Sequence, residues 1–237
     1  MRGRHSPVSP AGARKGVALT LLDAGARLLQ DAAPLKGFDV YLVGFHCARD
    51  APDVQTEAHH FCRIVNDGLV QCVIFDGNTS DANLVGVEYI VSDWLFDDLP
   101  EAEQGYWHPH NHEVLSGELV APGLPHAAEK ALLRRLLNSY GKTWHTWHTG
   151  RHDGRPGDDL PLGDPRLMWS FNRDGERDPA LAESREAAMH LDVPRRRAER
   201  RDLAADAHPQ HGVDLLRDRF EGTTPVPGVV DVRATEG

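Results

Sequence analysis

The chain has 237 residues, of which 40% are hydrophobic and 26% charged, and a formal net charge of −10. That length can bury one sizeable core with appended tails. The acidic balance argues against a nucleic-acid partner gripped by its phosphates, and no apolar run is long enough to span a bilayer.

Cys47, Cys62 and Cys72 are odd in number and do not form a secreted disulfide framework, so reduced thiols are expected. The N-terminus is basic at first but lacks the apolar centre of a signal peptide. Residues 1–16 therefore read as a disordered leader on a cytoplasmic protein. Over residues 17–31, Ala18, Leu21, Leu22, Leu28 and Leu29 fall at near-helical spacing before Pro34, which predicts an amphipathic helix covering the core. Phe38–Phe45 is apolar and β-prone, a strand that delivers His46 at its end.

A hairpin is predicted from residues 57–65 and 69–75 around Asn66-Asp67-Gly68, with Gly68 left-handed in a three-residue turn. This register sets Cys62 opposite Cys72 and places Ala58, His60, Cys62, Ile64, Val70, Cys72 and Ile74 on one mostly apolar face. His60 then points inward, while His59 points outward beside Phe61 and Arg63. The two cysteines could ligate metal or form a cross-strand disulfide, but buried thiols are the commoner case.

Residues 84–91 read as a third strand with Glu88 inside an apolar run, a carboxylate that needs a partner if buried. An Arg or Lys is the expected partner; a proton-transfer role for Glu88 is the alternative. Ser92 or Asp93 can cap a short helix through Leu99, and Pro100 starts another turn. Pro109 cannot donate to a sheet ladder, so Trp107-His108-Pro109-His110 is a loop or edge strand.

Residues 127–140 predict an amphipathic helix stopped by Gly141, and residues 143–149 a strand. A Gly/Pro-rich loop follows, then a short strand over 167–171. Residues 179–206 read as exposed helices and residues 223–237 as a mobile or extended tail. The boundaries are thus a leader (1–16), one core domain (17–172) and a helical extension with tail (173–237). The fold class is α+β, a mainly antiparallel, barrel-like sheet with packed helices.

Chemistry concentrates in two clusters, Glu57-Ala58-His59-His60-Phe61-Cys62 and His108-Pro109-His110-Asn111-His112-Glu113. Neutral imidazole and carboxylate are ligands for Zn, Fe and Cu, and a site of two or three nitrogens and one carboxylate keeps a position open. The expected metal ligands are His60, His108, His110 and Glu113, with His59 and His46 as further candidates. Glu88 and Glu57 are the candidate proton-transfer groups. Trp144-His145-Thr146-Trp147-His148 invites a haem or copper reading, but tryptophans at this spacing are more often core.

The motifs Glu57-Ala58-His59-His60-Phe61-Cys62, Gln71-Cys72, Gly86-Val87-Glu88-Tyr89 through Asp93, Trp107-His108-Pro109-His110 with Glu113, and Tyr140-Gly141-Lys142 with Trp144 and Trp147 resemble, in order and spacing, the oil-body-associated protein family. The likeness runs over roughly residues 20–170 and is that of a bacterial-type member. It implies a family whose plant members associate with seed lipid droplets and whose other members are largely of unknown function. The family pattern aligns with His46, Glu57, His59, His60, Cys62, Cys72, Glu88, His108, His110 and Glu113. His112, His145, His148 and His152 are peculiar to this chain, and an acidic–basic pair in the pattern becomes Arg151-His152-Asp153.

Two readings of different class result. One is a metal-dependent, oxidative enzyme acting on a small molecule. The other is a non-catalytic lipid-droplet or lipid-surface protein, making peripheral lipid contact through the helix at 17–31, although that helix lacks the Lys/Arg-rich face of an interfacial helix. A haem or small-ligand binding module differs from the first only by absent turnover.

Overall fold

A computed structural model describes residues 3–31, 33–150 and 155–234. Seven strands form one sheet: β1 (Val40–Ala48), β2 (Gln55–Asn66), β3 (Leu69–Phe75), β4 (Leu84–Val91), β5 (His108–Pro109), β6 (Tyr140–His145) and β7 (Arg166–Trp169). The order is β4-β3-β2-β1-β7-β6, and pairing of β6 with β4 closes it into an antiparallel barrel. The short β5 pairs with the start of β6, ahead of β7. Closure removes sheet edges and gives the barrel a single inside.

Register decides what enters that inside. Leu42 faces His60, His60 faces Ile74, Cys62 faces Cys72, Cys72 faces Glu88 and Glu88 faces Thr143. With a side-chain period of two, these residues point inward together with His46, Gly141 and His145. The predicted hairpin face is therefore the barrel lining.

The turn differs from expectation. Asn66 pairs with Leu69, a two-residue connection, and an irregularity between Ile64 and Asn66 restores the register beyond it. Gly68 is not among the left-handed glycines; a Cβ there would come within 2.6 Å of the Trp94 ring, so packing requires the glycine. Cys62 and Cys72 are joined by a disulfide rather than being the expected thiols, because the register sets them directly opposite. Cys47 is buried as a free thiol.

One end of the barrel is apolar. Leu42, Cys62, Cys72 and Ile90 pack there under Leu133, Leu136 and Leu137 from α5 (His126–Leu136) and its C-terminal flank. At the other end Ala58, Ile74 and Val85 meet Trp147. The polar layer described below lies between them. The strand expected at 143–149 begins earlier, at Tyr140, so Gly141 is a strand residue and not a helix stop.

The region beyond 172 packs on this barrel. Leu203, Val213, Val226 and Val229 join the cluster beneath α5, while Leu181, Ala182 and Leu216 pack on Phe45, Trp169 and Phe171. Arg200, read from sequence as part of a solvated helix, is buried and donates to the carbonyls of Val114 and Leu119. Residues 3–8 of the leader also carry hydrogen bonds: Arg4 N donates to Asn78 Oδ1 at 2.7 Å and Ser6 Oγ to Asp76 Oδ2 at 2.7 Å.

The largest departure is α1 (Val17–Leu29). It forms where the spacing predicts but covers no core, since none of its residues is buried.

Leu203→Ala should cost about 2–5 kcal/mol if the C-terminal region shares the main core; a urea-unfolding midpoint unchanged from the parent chain would refute that sharing. Cys62→Ser should cost about 2–3 kcal/mol, the chain-entropy value for a loop this short. Comparing urea midpoints with and without reductant measures it.

Candidate functional site

Glu88 occupies the centre of the barrel, on β4, with its carboxylate almost fully buried. His60 Nε2 from β2 lies 2.9 Å from Glu88 Oε2. On the other side, His108 Nε2 from β5 and His110 Nε2 lie 3.4 and 3.5 Å from Glu88 Oε1. The His46 ring, from β1, stands edge-on to His60 at 5.1 Å and to His108 at 5.5 Å between centroids. Donor atoms of His46, His60 and Glu88 form one compact triad, and those of Glu88, His108 and His110 a second, sharing the carboxylate.

Local chain geometry brings these groups together. β5 is only two residues long, and Pro109 ends its ladder, so His108 enters from the sheet while His110 turns in at the start of α4 (Asn111–Leu115). Gly141 faces them across the ladder. A Cβ on Gly141 would lie 2.2 Å from Glu88 Oε1, 2.6 Å from His108 Nε2 and 2.7 Å from His110 Nε2. No other residue fits that position while the donors converge.

Burial sets the protonation states. The desolvated rings of His46 and His108 are held below their ordinary pKa, and burial lowers His145 to about 3. Burial alone would raise Glu88, but His60, His108 and His110 outweigh it and hold the carboxyl well below its usual range. Glu113, also buried and close to the Glu88 and Glu118 charges, is pushed well above it. Two carboxyls in one interior are thus pushed in opposite directions.

The structure brings His46, His60, Glu88, His108 and His110 together, with Glu113 at the margin, its Oε2 3.8 Å from His110 Nε2. It does not bring Glu57 or His59 there. Both lie on the outer face of β2, where His59 Nε2 is 2.9 Å from Glu57 Oε1, Tyr41 Oη is 2.7 Å from His59 Nδ1, and Arg4 binds Glu57. Glu57, read from sequence as a proton-transfer candidate, is instead half of a buried ion pair with the leader. The expected Arg or Lys partner of Glu88 is replaced by imidazoles.

Three contributors escaped sequence reasoning: His145, Gly141 and Ser139, whose Oγ lies 2.8 Å from His110 Nδ1. Starting β6 at Tyr140 would have put Gly141 and His145 on the face of Glu88. His145 is buried 5.6 Å from the His46 ring and also borders an open cleft of about 410 Å³ with Val85, Trp147 and Met168. His112 is buried near Asp174, at 3.7 Å, away from the centre. His148 lines the cleft, and the sequence Arg151-His152-Asp153 lies outside the described residues.

These features define a class, a closed six-stranded antiparallel barrel with helices packed on it and an interior carboxylate–imidazole cluster. The chain belongs to the family described as "Protein of unknown function (DUF1264)", which matches residues 32–204. It is 39% identical over 196 residues to oil body-associated protein 1A of Zea mays, covering 83% of this chain and 79% of that one. Its identity to oil body-associated protein 2A of Zea mays is 38% over 215 residues, covering 89% of this chain and 83% of the relative. The protein of the same name from Arabidopsis thaliana is 32% identical over 232 residues, 92% of each chain. No solved structure matches the chain. Among the described residues, no helix is long and apolar enough to cross a membrane.

The buried imidazoles carry a pH signature. Where the folded pKa is depressed, the unfolded chain binds more protons below 6.5, so stability present above that pH is lost as pH falls. For His145 the window runs from 6.5 down to about 3, and Glu88 adds to the loss below 4.5. Glu113 opposes this: its contribution is present below 4.5 and lost as pH rises through its elevated value. With a chelator present, the Tm should fall steadily from pH 6.5 toward pH 3, and His145→Gln should flatten that slope. An unchanged slope in the variant would contradict the burial of a neutral ring.

Proposed function

We propose that this chain is a peripheral lipid-surface protein that docks through α1. One observation carries the reading: Val17, Leu21, Leu22, Leu28 and Leu29 are between 68% and 83% exposed on a helix with no buried residue. A contiguous apolar surface left uncovered on a folded chain marks a place of attachment.

The polar side of α1 is a narrow stripe of Thr20, Asp23 and Arg27. Asp23 is paired with both Lys15, at 2.8 Å, and Arg27, at 3.2 Å, so the stripe carries little net charge. Apolar area rather than attraction to anionic headgroups would drive binding, which fits a neutral phospholipid-coated surface. The relatives named as oil body-associated proteins support the same reading. Leu35 in the 3-10 turn after α1 is also exposed and extends the apolar surface.

The cytoplasmic placement was expected from an N-terminus without a signal-peptide centre, and the bonded Cys62 and Cys72 lend it no support. Attachment through α1 also leaves the barrel interior free for a separate role.

Triolein droplets coated with phosphatidylcholine should carry the intact chain in a flotation assay, with little change between low and high salt. Each buried leucine contributes about 1.5–3 kcal/mol, so Leu21→Asp with Leu28→Asp should weaken partitioning by roughly a hundredfold or more. Absence of co-flotation, with α1 instead protected by self-association in light scattering, would overturn the reading.

A further inference from the structure

Inside the barrel, hydrogen bonding fixes the state of one imidazole. Ser139 Oγ donates its only hydrogen to the Leu136 carbonyl at 2.7 Å, and the same oxygen lies 2.8 Å from His110 Nδ1. The hydroxyl must therefore accept from His110 Nδ1–H, which leaves Nε2 as the ring nitrogen turned to the centre. That nitrogen faces Glu88 Oε1, as does His108 Nε2. Neither approach is a hydrogen bond. Glu88 Oε1, both nitrogens of His108, His60 Nδ1 and His46 Nδ1 are buried without a hydrogen-bond partner. Buried donors and acceptors left so are costly, and this many around one carboxylate call for a shared partner.

The separations identify the kind of partner. Two ligand atoms each about 2.1 Å from one ion stand about 3.4 Å apart at a tetrahedral angle and about 3.0 Å apart at a right angle. His108 Nε2 and His110 Nε2 lie 3.4 and 3.5 Å from Glu88 Oε1, and His60 Nε2 lies 2.9 Å from Glu88 Oε2.

We propose that one divalent transition-metal ion binds between Glu88 and the imidazoles of His108 and His110, the triad whose donor atoms converge, and leaves its remaining positions open. The donor set is imidazole and carboxylate with no thiolate, which suits Zn, Fe, Cu or Ni and not a hard all-oxygen cation. The interior cavity beside this triad, bordered by His46, His60, Glu88, His110 and Glu113 and by apolar residues such as Leu42 and Ile90, is about 10 Å³, far too small for haem. Glu88 is then a ligand rather than the proton-transfer group, Ser139 is the positioning residue behind His110, and Gly141 keeps the approach clear. Entry runs past His145, which stands between the centre and the open cleft.

Metal content of untagged full-length protein, purified without chelator and measured by plasma mass spectrometry, should approach one ion per chain. After chelation, titration with Zn²⁺ or Co²⁺ should saturate at one equivalent and raise the Tm, with Co²⁺ giving visible absorption bands. Glu88→Gln and His110→Gln should each weaken Co²⁺ binding at least tenfold. His126→Ala, at the exposed start of α5, should leave it unchanged. Should the interior variants fail to fold, X-ray absorption of the Co²⁺-loaded parent chain decides, with multiple scattering from two imidazoles expected. A folded parent chain that takes up neither Zn²⁺, Co²⁺, Fe²⁺ nor Cu²⁺ overturns the proposal, as does binding that Glu88→Gln leaves intact or a cobalt spectrum without imidazole. Flotation on lipid plays no part in this outcome, so the two readings stand or fall separately.

Discussion

A carboxylate in the middle of a closed barrel is the constraint on which the interior depends. Glu88 is cut off from water on all sides by the strands, and an ionised group so placed costs several kcal/mol unless its surroundings compensate. Here imidazoles converge on it from three different elements, His60 on β2, His108 on β5 and His110 at the entry to α4, with His60 Nε2 at hydrogen-bond distance. Satisfying one side chain therefore fixes the relative positions of distant parts of the chain. The two-residue length of β5, the corner at Pro109 and the bare Gly141 opposite all follow from bringing those rings within reach. Ser139 extends the same logic outward by holding His110 in one tautomer.

The outer surface obeys a separate logic. His59 and Glu57 belong to the same strand as His60 but face away from the centre, where they meet Tyr41 and Arg4. A single strand thus contributes one set of polar residues to an interior cluster and another to the docking of the leader. Immediately beyond that docked leader the chain forms α1, whose apolar face touches no core residue. The barrel closes without α1, and its leucines lie exposed. Between leader and C-terminal region, chain segments from both ends are tied to the same barrel, the first by polar contacts and the second by burial of Leu181, Leu203, Val213 and Val229.

Much of this was written locally. Alternation of apolar residues on both sides of Asn66-Asp67-Gly68 fixed the hairpin and its register, and with it the inward His60 and the opposed cysteines. The uninterrupted apolar run around Glu88 marked a buried carboxylate before any partner was known. The density of histidines at 108–112 marked an unusual site, and the leucine spacing in 17–29 marked an amphipathic helix. Each of these depends on neighbours within a few residues, the range over which backbone period and propensity act.

What surrounds each marked residue is long-range and was decided only by closure. Pairing of β4 with β6 brings Gly141 and His145 beside Glu88, across more than fifty residues of chain, and no local pattern encodes that meeting. Packing of the C-terminal region on the barrel likewise made Arg200 an interior donor, and α1 is left without a core to cover. By itself the sequence determined which residues carry chemistry and which way each strand presents them, because alternation is a property of the backbone. Only the tertiary structure decided which of those residues share one enclosed space, because that depends on how the sheet closes and not on what any segment prefers alone.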